Sequence, residues 1–95
     1  MQLTPWPGAT QAVLVRNDGD WLIQWRVGGR RMDVTRLRDE ELAAEVGGRA
    51  RDADTVAYIE RRLNNAGFVA KLRDGRRDAL GPHEVASWHL RPRLR

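Results

Sequence analysis

Residues 21–35 read WLIQWRVGGRRMDVT, and this stretch decides the fold class. Its first seven residues alternate between apolar and more polar side chains, which is the period of a strand with one buried face. The side chains expected to face one way are Trp21, Ile23, Trp25 and Val27. Gly28 and Gly29 follow as a hairpin turn, because glycine readily adopts the positive φ that such turns require. Arg30–Thr35 then returns as a strand with Met32 and Val34 on one face.

A further strand is expected before this hairpin, from Gln11 to Arg16. Residues 17–20 separate the two and read NDGD, a composition typical of a turn. The N-terminal half therefore predicts a three-stranded antiparallel meander. A lead of residues 1–10, which contains Pro5 and Pro7, precedes it.

A short helix is expected after the meander. Asp39 is placed to cap it, and Glu40 and Glu41 lie in its first turn, where the positive end of the helix dipole favours acidic side chains. Its apolar stripe is Leu42, Ala43 and Val46. Gly47 and the glycine after it end the helix.

A longer helix is expected to begin at an aspartate cap, either Asp52 or Asp54. Apolar residues then recur at helical spacing, which is the pattern of one buried face. These residues are Val56, Ile59, Leu63 and Ala66. Gly67 is expected to close the helix with a positive φ, and Phe68 supplies the apolar contact that accompanies such an ending.

The rest of the chain predicts two more strands and completes the order β-β-β-α-α-β-β. Phe68–Leu72 and Val85–Leu90 are the strands, and Arg73–Arg77 is a tight turn after the first of them. The order predicts an α+β fold in which the meander and a C-terminal β-hairpin pack against two helices. The 95 residues form one small domain, residues 1–95, because two pieces would be too small to bury their own cores. Residues 91–95 form a basic tail.

Composition excludes several classes of protein. The chain has no cysteine, so it has no disulfides or thiolate metal sites, and it has no apolar run of the roughly 20 residues that span a membrane. With no signal peptide visible, we expect a cytoplasmic protein without a membrane partner. Ser87 is the one serine, and residues 83–87 resemble a zinc-protease motif that lacks its second histidine. We therefore expect no enzyme, no metal site and no other cofactor.

Positive charge is concentrated in the C-terminal half. Residues 1–47 carry a net charge of −1 and residues 48–95 a net charge of +5, which gives the formal +4 of the chain. An acidic partner should therefore meet the C-terminal half. If the longer helix buries its apolar face, its other side presents an aromatic and three hydrogen-bonding side chains suited to base edges or phosphates. These residues are Tyr58, Arg61, Arg62 and Asn65.

The turn after the fourth strand places three guanidinium groups where they can contact a phosphate backbone. They belong to Arg73, Arg76 and Arg77. The arginines of the tail, Arg91, Arg93 and Arg95, add further positive charge.

Residues 41–78 resemble the winged helix-turn-helix of small bacterial transcription regulators. The segment from Glu41 to Gly47 resembles the first helix of that motif. Thr55 and Val56, followed by Leu63, Gly67 and Val69, resemble the recognition helix running into the first wing strand, and Arg73–Arg77 resembles the wing tip. The resemblance implies a winged-helix-like second half that binds DNA and regulates transcription, with its helix in a groove and its wing on the backbone.

Two functions stay open at this point. The first is a small non-catalytic nucleic-acid-binding or regulatory protein, with DNA as the expected partner. The second is a small protein-binding adaptor or inhibitor, of a kind found in phages or mobile elements, that meets an acidic protein and uses an exposed tryptophan such as Trp6 or Trp88. The helix stripe is also interpretable as a solvated face, and the Arg73–Arg77 turn as a polar turn neutralised by Asp74 and Asp78. Neither function specifies an oligomeric state.

Overall fold

The computed structural model describes residues 3–48, 52–73 and 83–93 of the chain. Within them, five strands and two helices follow the predicted order. The strands are β1 (Gln11–Asn17), β2 (Asp20–Val27), β3 (Arg30–Arg38), β4 (Phe68–Leu72) and β5 (Glu84–Pro92). The helices are α1 (Asp39–Val46) and α2 (Asp52–Asn65).

The strands form one antiparallel sheet in the order β3-β2-β1-β5-β4. The three-stranded meander and the pairing of β4 with β5 are confirmed. In addition β5 pairs with β1, so the meander and the C-terminal hairpin join into a single sheet whose edges are β3 and β4. The helices cover one face, with α1 against β3 and α2 against β4 and β5. We call the other face the open face.

The hairpin between β2 and β3 forms as its glycines predict. Gly28 and Gly29 have φ values of +56° and +84°, which the mirror-image hairpin turns require and most other residues avoid. Trp21, Ile23 and Trp25 are buried together beneath the helices, so the predicted register of β2 is confirmed. Val27, beside the turn, is exposed.

Three buried tryptophans connect the sheet to its neighbours. Each indole N–H donates a hydrogen bond to a side chain on another element, so each ring is buried without an unpaired donor. Trp21 Nε1 donates to Asp39 Oδ1 (3.0 Å), Trp25 Nε1 to Thr35 Oγ1 (2.8 Å) and Trp88 Nε1 to Glu60 Oε1 (3.2 Å). The first and third of these bonds connect α1 and α2 to the sheet, and the second connects β3 to its neighbour β2.

The start of α1 differs from the prediction. Asp39 is its first residue and not its cap; Arg38 holds the cap position and makes no side-chain capping bond. The Asp39 carboxylate accepts a hydrogen bond from the Trp21 indole N–H. The predicted endings are confirmed, since Gly47 and Gly67 follow α1 and α2 with φ values of +78° and +95°.

Strand β3 also departs from the prediction, because it continues to Arg38 and buries Leu37. The register of β3 against β2 shifts between Trp25 and Arg26, which leaves Met32 without a partner as a β-bulge. Met32 and Val34 are 40% and 37% exposed.

Thr55 is a buried polar residue whose substitution tests the packing of the core. It is fully buried in α2, and its hydroxyl has no hydrogen-bond partner. An unpaired buried hydroxyl costs free energy, so Thr55→Val, which keeps the shape, should raise the free energy of unfolding by roughly 1 kcal/mol. Urea unfolding measures this, with Thr55→Ser as the matched control that keeps the hydroxyl and loses the methyl group. A valine variant less stable than wild type would show that the hydroxyl is paired.

A candidate nucleic-acid interface on the open face

Basic side chains gather on the open face of β4 and β5. Alternation places Ala70 and Leu90 toward the helices and the residues between them on the open face. Lys71 lies opposite His89, Val69 lies opposite Arg91, and the Arg73 amide donates to the Ser87 carbonyl (2.9 Å). We call this set the β4–β5 basic surface. It consists of Lys71, Arg73, His89, Arg91 and Arg93.

Within the described residues, the charges of this surface are not compensated by ion pairs. Among the described residues, no carboxylate forms an ion pair with any of its side chains, and four of the five residues are exposed, Arg73 being half-buried. Four other arginines of the sheet form ion pairs: Arg16 with Asp52 (3.0 Å), Arg26 with Glu84 (3.9 Å), Arg36 with Asp20 (2.6 Å) and Arg38 with Glu40 (4.0 Å). Unpaired cations on one surface create a positive potential that attracts an anionic ligand.

A polar bridge borders the surface on the same face. Arg26 on β2 reaches Glu84 on β5, so this ion pair crosses the intervening strand β1. The guanidinium also donates to Gln24 Oε1 (2.7 Å). The bridge helps to explain why Val13 and Ser87, both on the open face, are each 1% exposed. Arg26 and Glu84 therefore offset each other's charge at this border.

The stripe expected on α2 is not fully exposed. Tyr58 is 7% exposed and belongs to the core, which corrects the expectation that it faces outward. Arg61 is exposed with its guanidinium 5.9 Å from the Tyr58 ring centre, Arg62 is half-buried, and Asn65 is exposed. The buried face of α2 is rotated from the predicted one. It consists of Thr55, Tyr58, Ile59 and Leu63, while Val56 is half-buried and Ala66 exposed.

The last turn of α2 and the end of β5 lie at the same end of the molecule. The Arg93 amide donates to the Gly67 carbonyl (2.9 Å), just beyond the helix, and Phe68 pairs with Pro92. Arg62 lies in the last turn of α2. This end of the molecule therefore carries cations from both the helix side and the open face.

The expected wing is only partly described. Arg73 follows β4 and lies on the β4–β5 basic surface, whereas Arg76 and Arg77 lie outside the described residues, as do Asp74 and Asp78. Arg91 is part of β5, which runs to Pro92, so the basic tail begins later than predicted. Arg95 is outside the described residues.

The two tryptophans considered as anchors for a protein partner are not free. Trp88 is 0% exposed and hydrogen-bonded to Glu60, so its assignment as an exposed anchor is wrong. Trp6 is half-buried and packs against the core. An exposed aromatic anchor is therefore absent from the residues that the structure describes.

Lys71 and His89 were missed by the sequence interpretation, although a signal for them is present. From Ala70 to Arg73 and from Trp88 to Arg93, apolar and polar side chains alternate, and the polar residues are all basic. In the described ranges, no three His, Asp or Glu side chains are grouped so that they could hold a metal ion.

Comparison of the chain with family models, with curated proteins and with solved structures finds no match. Neither helix in the described parts of the chain combines the length and apolar character needed to cross a membrane.

Proposed function

We propose that this protein is a small non-catalytic nucleic-acid-binding protein that holds the phosphate backbone on its β4–β5 basic surface. The observation that carries the proposal is the grouping of unpaired cations from two adjacent strands, beside a sheet whose other arginines are mostly paired. Phosphates supply the complementary charge, and each phosphate neutralised releases counterions, which drives binding.

The positions of the aromatic residues indicate whether the protein contacts the bases or the backbone of the nucleic acid. The chain has four Trp, one Tyr and one Phe, and all six belong to the core or pack against it. Because these rings lie in or against the core, the β4–β5 basic surface offers bases no ring other than the His89 imidazole on which to stack. Binding should therefore depend on backbone contacts, which position the ligand and carry little sequence information.

Residues of α2 extend the proposal. Arg61, Arg62 and Asn65 lie near the end of the molecule that also holds Arg93, so a backbone passing this end meets cations on both sides. Base readout by Arg61 or Asn65, and backbone contacts by Arg76 and Arg77, stay predictions of the sequence. The winged-helix assignment, a role in DNA-based regulation and a cytoplasmic location stay predictions as well.

A salt series tests the proposal. Fluorescence anisotropy with mixed-sequence duplex DNA should show an affinity that falls steeply as salt rises. The double variant Arg91→Gln/Arg93→Gln should flatten the slope of log affinity against log salt by about one unit for each phosphate that the protein no longer neutralises.

The matched control is Arg30→Gln/Arg31→Gln, which removes the same charge at the opposite edge of the sheet, from arginines that form no ion pair with any described residue. Its slope should stay close to that of wild type. Equal flattening by the two variants would mean that net charge alone governs binding and that the β4–β5 basic surface is not the interface.

A protein-binding adaptor or inhibitor is the second candidate. The observation that favours it is the exposed edge strand β3, where Met32 and Val34 are open to solvent and no described element covers them.

A further inference from the structure

Strand β3 is a long sheet edge with an unpaired side. It spans nine residues and, in the described parts of the chain, pairs with β2 only, so its outer row of backbone N–H and C=O groups has no strand partner there. Residues 30–34 are exposed throughout. An edge of this kind can accept an additional strand from another chain.

The net positive charge of β3 indicates which kind of strand can bind to it. Strand β3 carries four arginines and one acid, Asp33. Arg36 is compensated by Asp20 and Arg38 contacts Glu40 at 4.0 Å, whereas Arg30 and Arg31 have no ion pair within the described part of the chain. An acidic strand is therefore attracted to this edge.

A second copy of the same strand does not fit. Two β3 strands side by side would each bring four arginines against one aspartate, and like charges facing each other destabilise a strand pair. The bulge at Met32 also interrupts regular pairing, as bulges do on edges protected from self-association. The regular part of the edge, Asp33–Arg38, can therefore pair with a strand of a different sequence.

We propose that β3 binds an extended acidic segment of a partner protein, which adds to the sheet as a sixth strand. Its central apolar residues contact Val34, and its acidic residues beyond the bulge meet Arg30 and Arg31. The nucleic-acid interface proposed above lies at the opposite edge of the sheet. The protein would thus join a nucleic acid to an acidic protein partner without competition between them.

The probe for this surface is the fluorescently labelled peptide Glu-Glu-Val-Thr-Val-Glu-Glu, followed by anisotropy at low ionic strength. We expect binding that weakens about tenfold or more in Arg30→Glu/Arg31→Glu, since two attractive contacts become repulsive. The control Arg91→Glu/Arg93→Glu changes the net charge equally at the other edge and should weaken peptide binding much less, because its charges lie further from the peptide.

Backbone pairing is tested separately from charge. The same peptide with its three central nitrogens methylated keeps every charge but cannot donate ladder hydrogen bonds, and it should not bind. Failure of the parent peptide to bind, equal binding of the methylated peptide, or equal losses in the two double variants would overturn the proposal. Nucleic-acid binding by Arg30→Glu/Arg31→Glu is measured in parallel, so this surface and the nucleic-acid interface can fail independently.

Discussion

Trp88→Ala should lower the free energy of unfolding by about 3–5 kcal/mol, the usual cost of truncating a buried aromatic side chain to alanine. Trp88 lies in β5 between Ala12 on β1 and Leu72 on β4, with no exposed surface. Its removal also deprives Glu60 on α2 of the indole hydrogen bond. Small domains have a total stability of about 5–15 kcal/mol, so much of this variant should be unfolded under mild denaturing conditions.

Urea unfolding followed by circular dichroism gives the measurement, and Trp6→Ala is the matched control. Trp6 is half-buried at the periphery of the core, so its truncation should cost distinctly less. If Trp88→Ala unfolds at the same urea concentration as wild type, Trp88 is not part of the core and the placement of β5 beside β1 is wrong.

The triple variant Lys71→Glu/Arg91→Glu/Arg93→Glu should lose nucleic-acid binding almost completely, with affinity for mixed-sequence DNA reduced about 100-fold or more. Each substitution replaces a cation that attracts phosphate by a carboxylate that repels it. The three side chains are exposed and unpaired in the described structure, so the fold should be retained. Anisotropy gives the affinity, and circular dichroism checks the fold.

A control variant with the same change in net charge shows whether the position of the charges or the total charge of the protein determines DNA affinity. Arg30→Glu/Arg31→Glu/Arg38→Glu places three reversals on β3, at the far edge of the sheet. Its DNA affinity should fall only modestly, because charges further apart than about 8–10 Å are largely screened at physiological salt. A loss as large as that of the β4–β5 variant would show that binding is not confined to the β4–β5 basic surface.

The first half of the fold could be predicted because its strands and turns depend on residues that are close together in the sequence. The alternation of Trp21, Ile23 and Trp25 and the paired glycines after them specify β2, its register and its turn. The end of β3 was missed because Arg36 and Arg38 look like a polar loop. Leu37 between them continues the alternation and is buried.

The face of α2 was misjudged for a physical reason. The aliphatic residues of the helix alone predict its buried face, and that prediction leaves Thr55 and Tyr58 on the polar side. Both are buried in the same stripe as Ile59 and Leu63, and Tyr58 belongs to the hydrophobic core. The buried face of α2 is therefore rotated from the predicted one. As a result Tyr58 is in the core and is not exposed for the expected contact with nucleic acid.

The β4–β5 basic surface required a long-range pairing that local patterns do not contain. Alternation alone puts Lys71 and His89 on the polar side of their strands. That these residues lie opposite each other depends on the register of β4 and β5, and the position of β5 follows from its pairing with β1. The charge asymmetry of the C-terminal half was visible in the sequence, but its location on one face of the sheet was not.

The most direct test of nucleic-acid binding at the β4–β5 basic surface is a titration of isotope-labelled protein with a mixed-sequence DNA duplex, followed by amide chemical shifts. We expect the largest shifts at Lys71, His89 and Arg91, we expect them to diminish as salt is added, and we expect the Val34 amide on β3 to stay unchanged. Shifts confined to β3, or no shifts at low salt, where any basic surface binds most strongly, would contradict it.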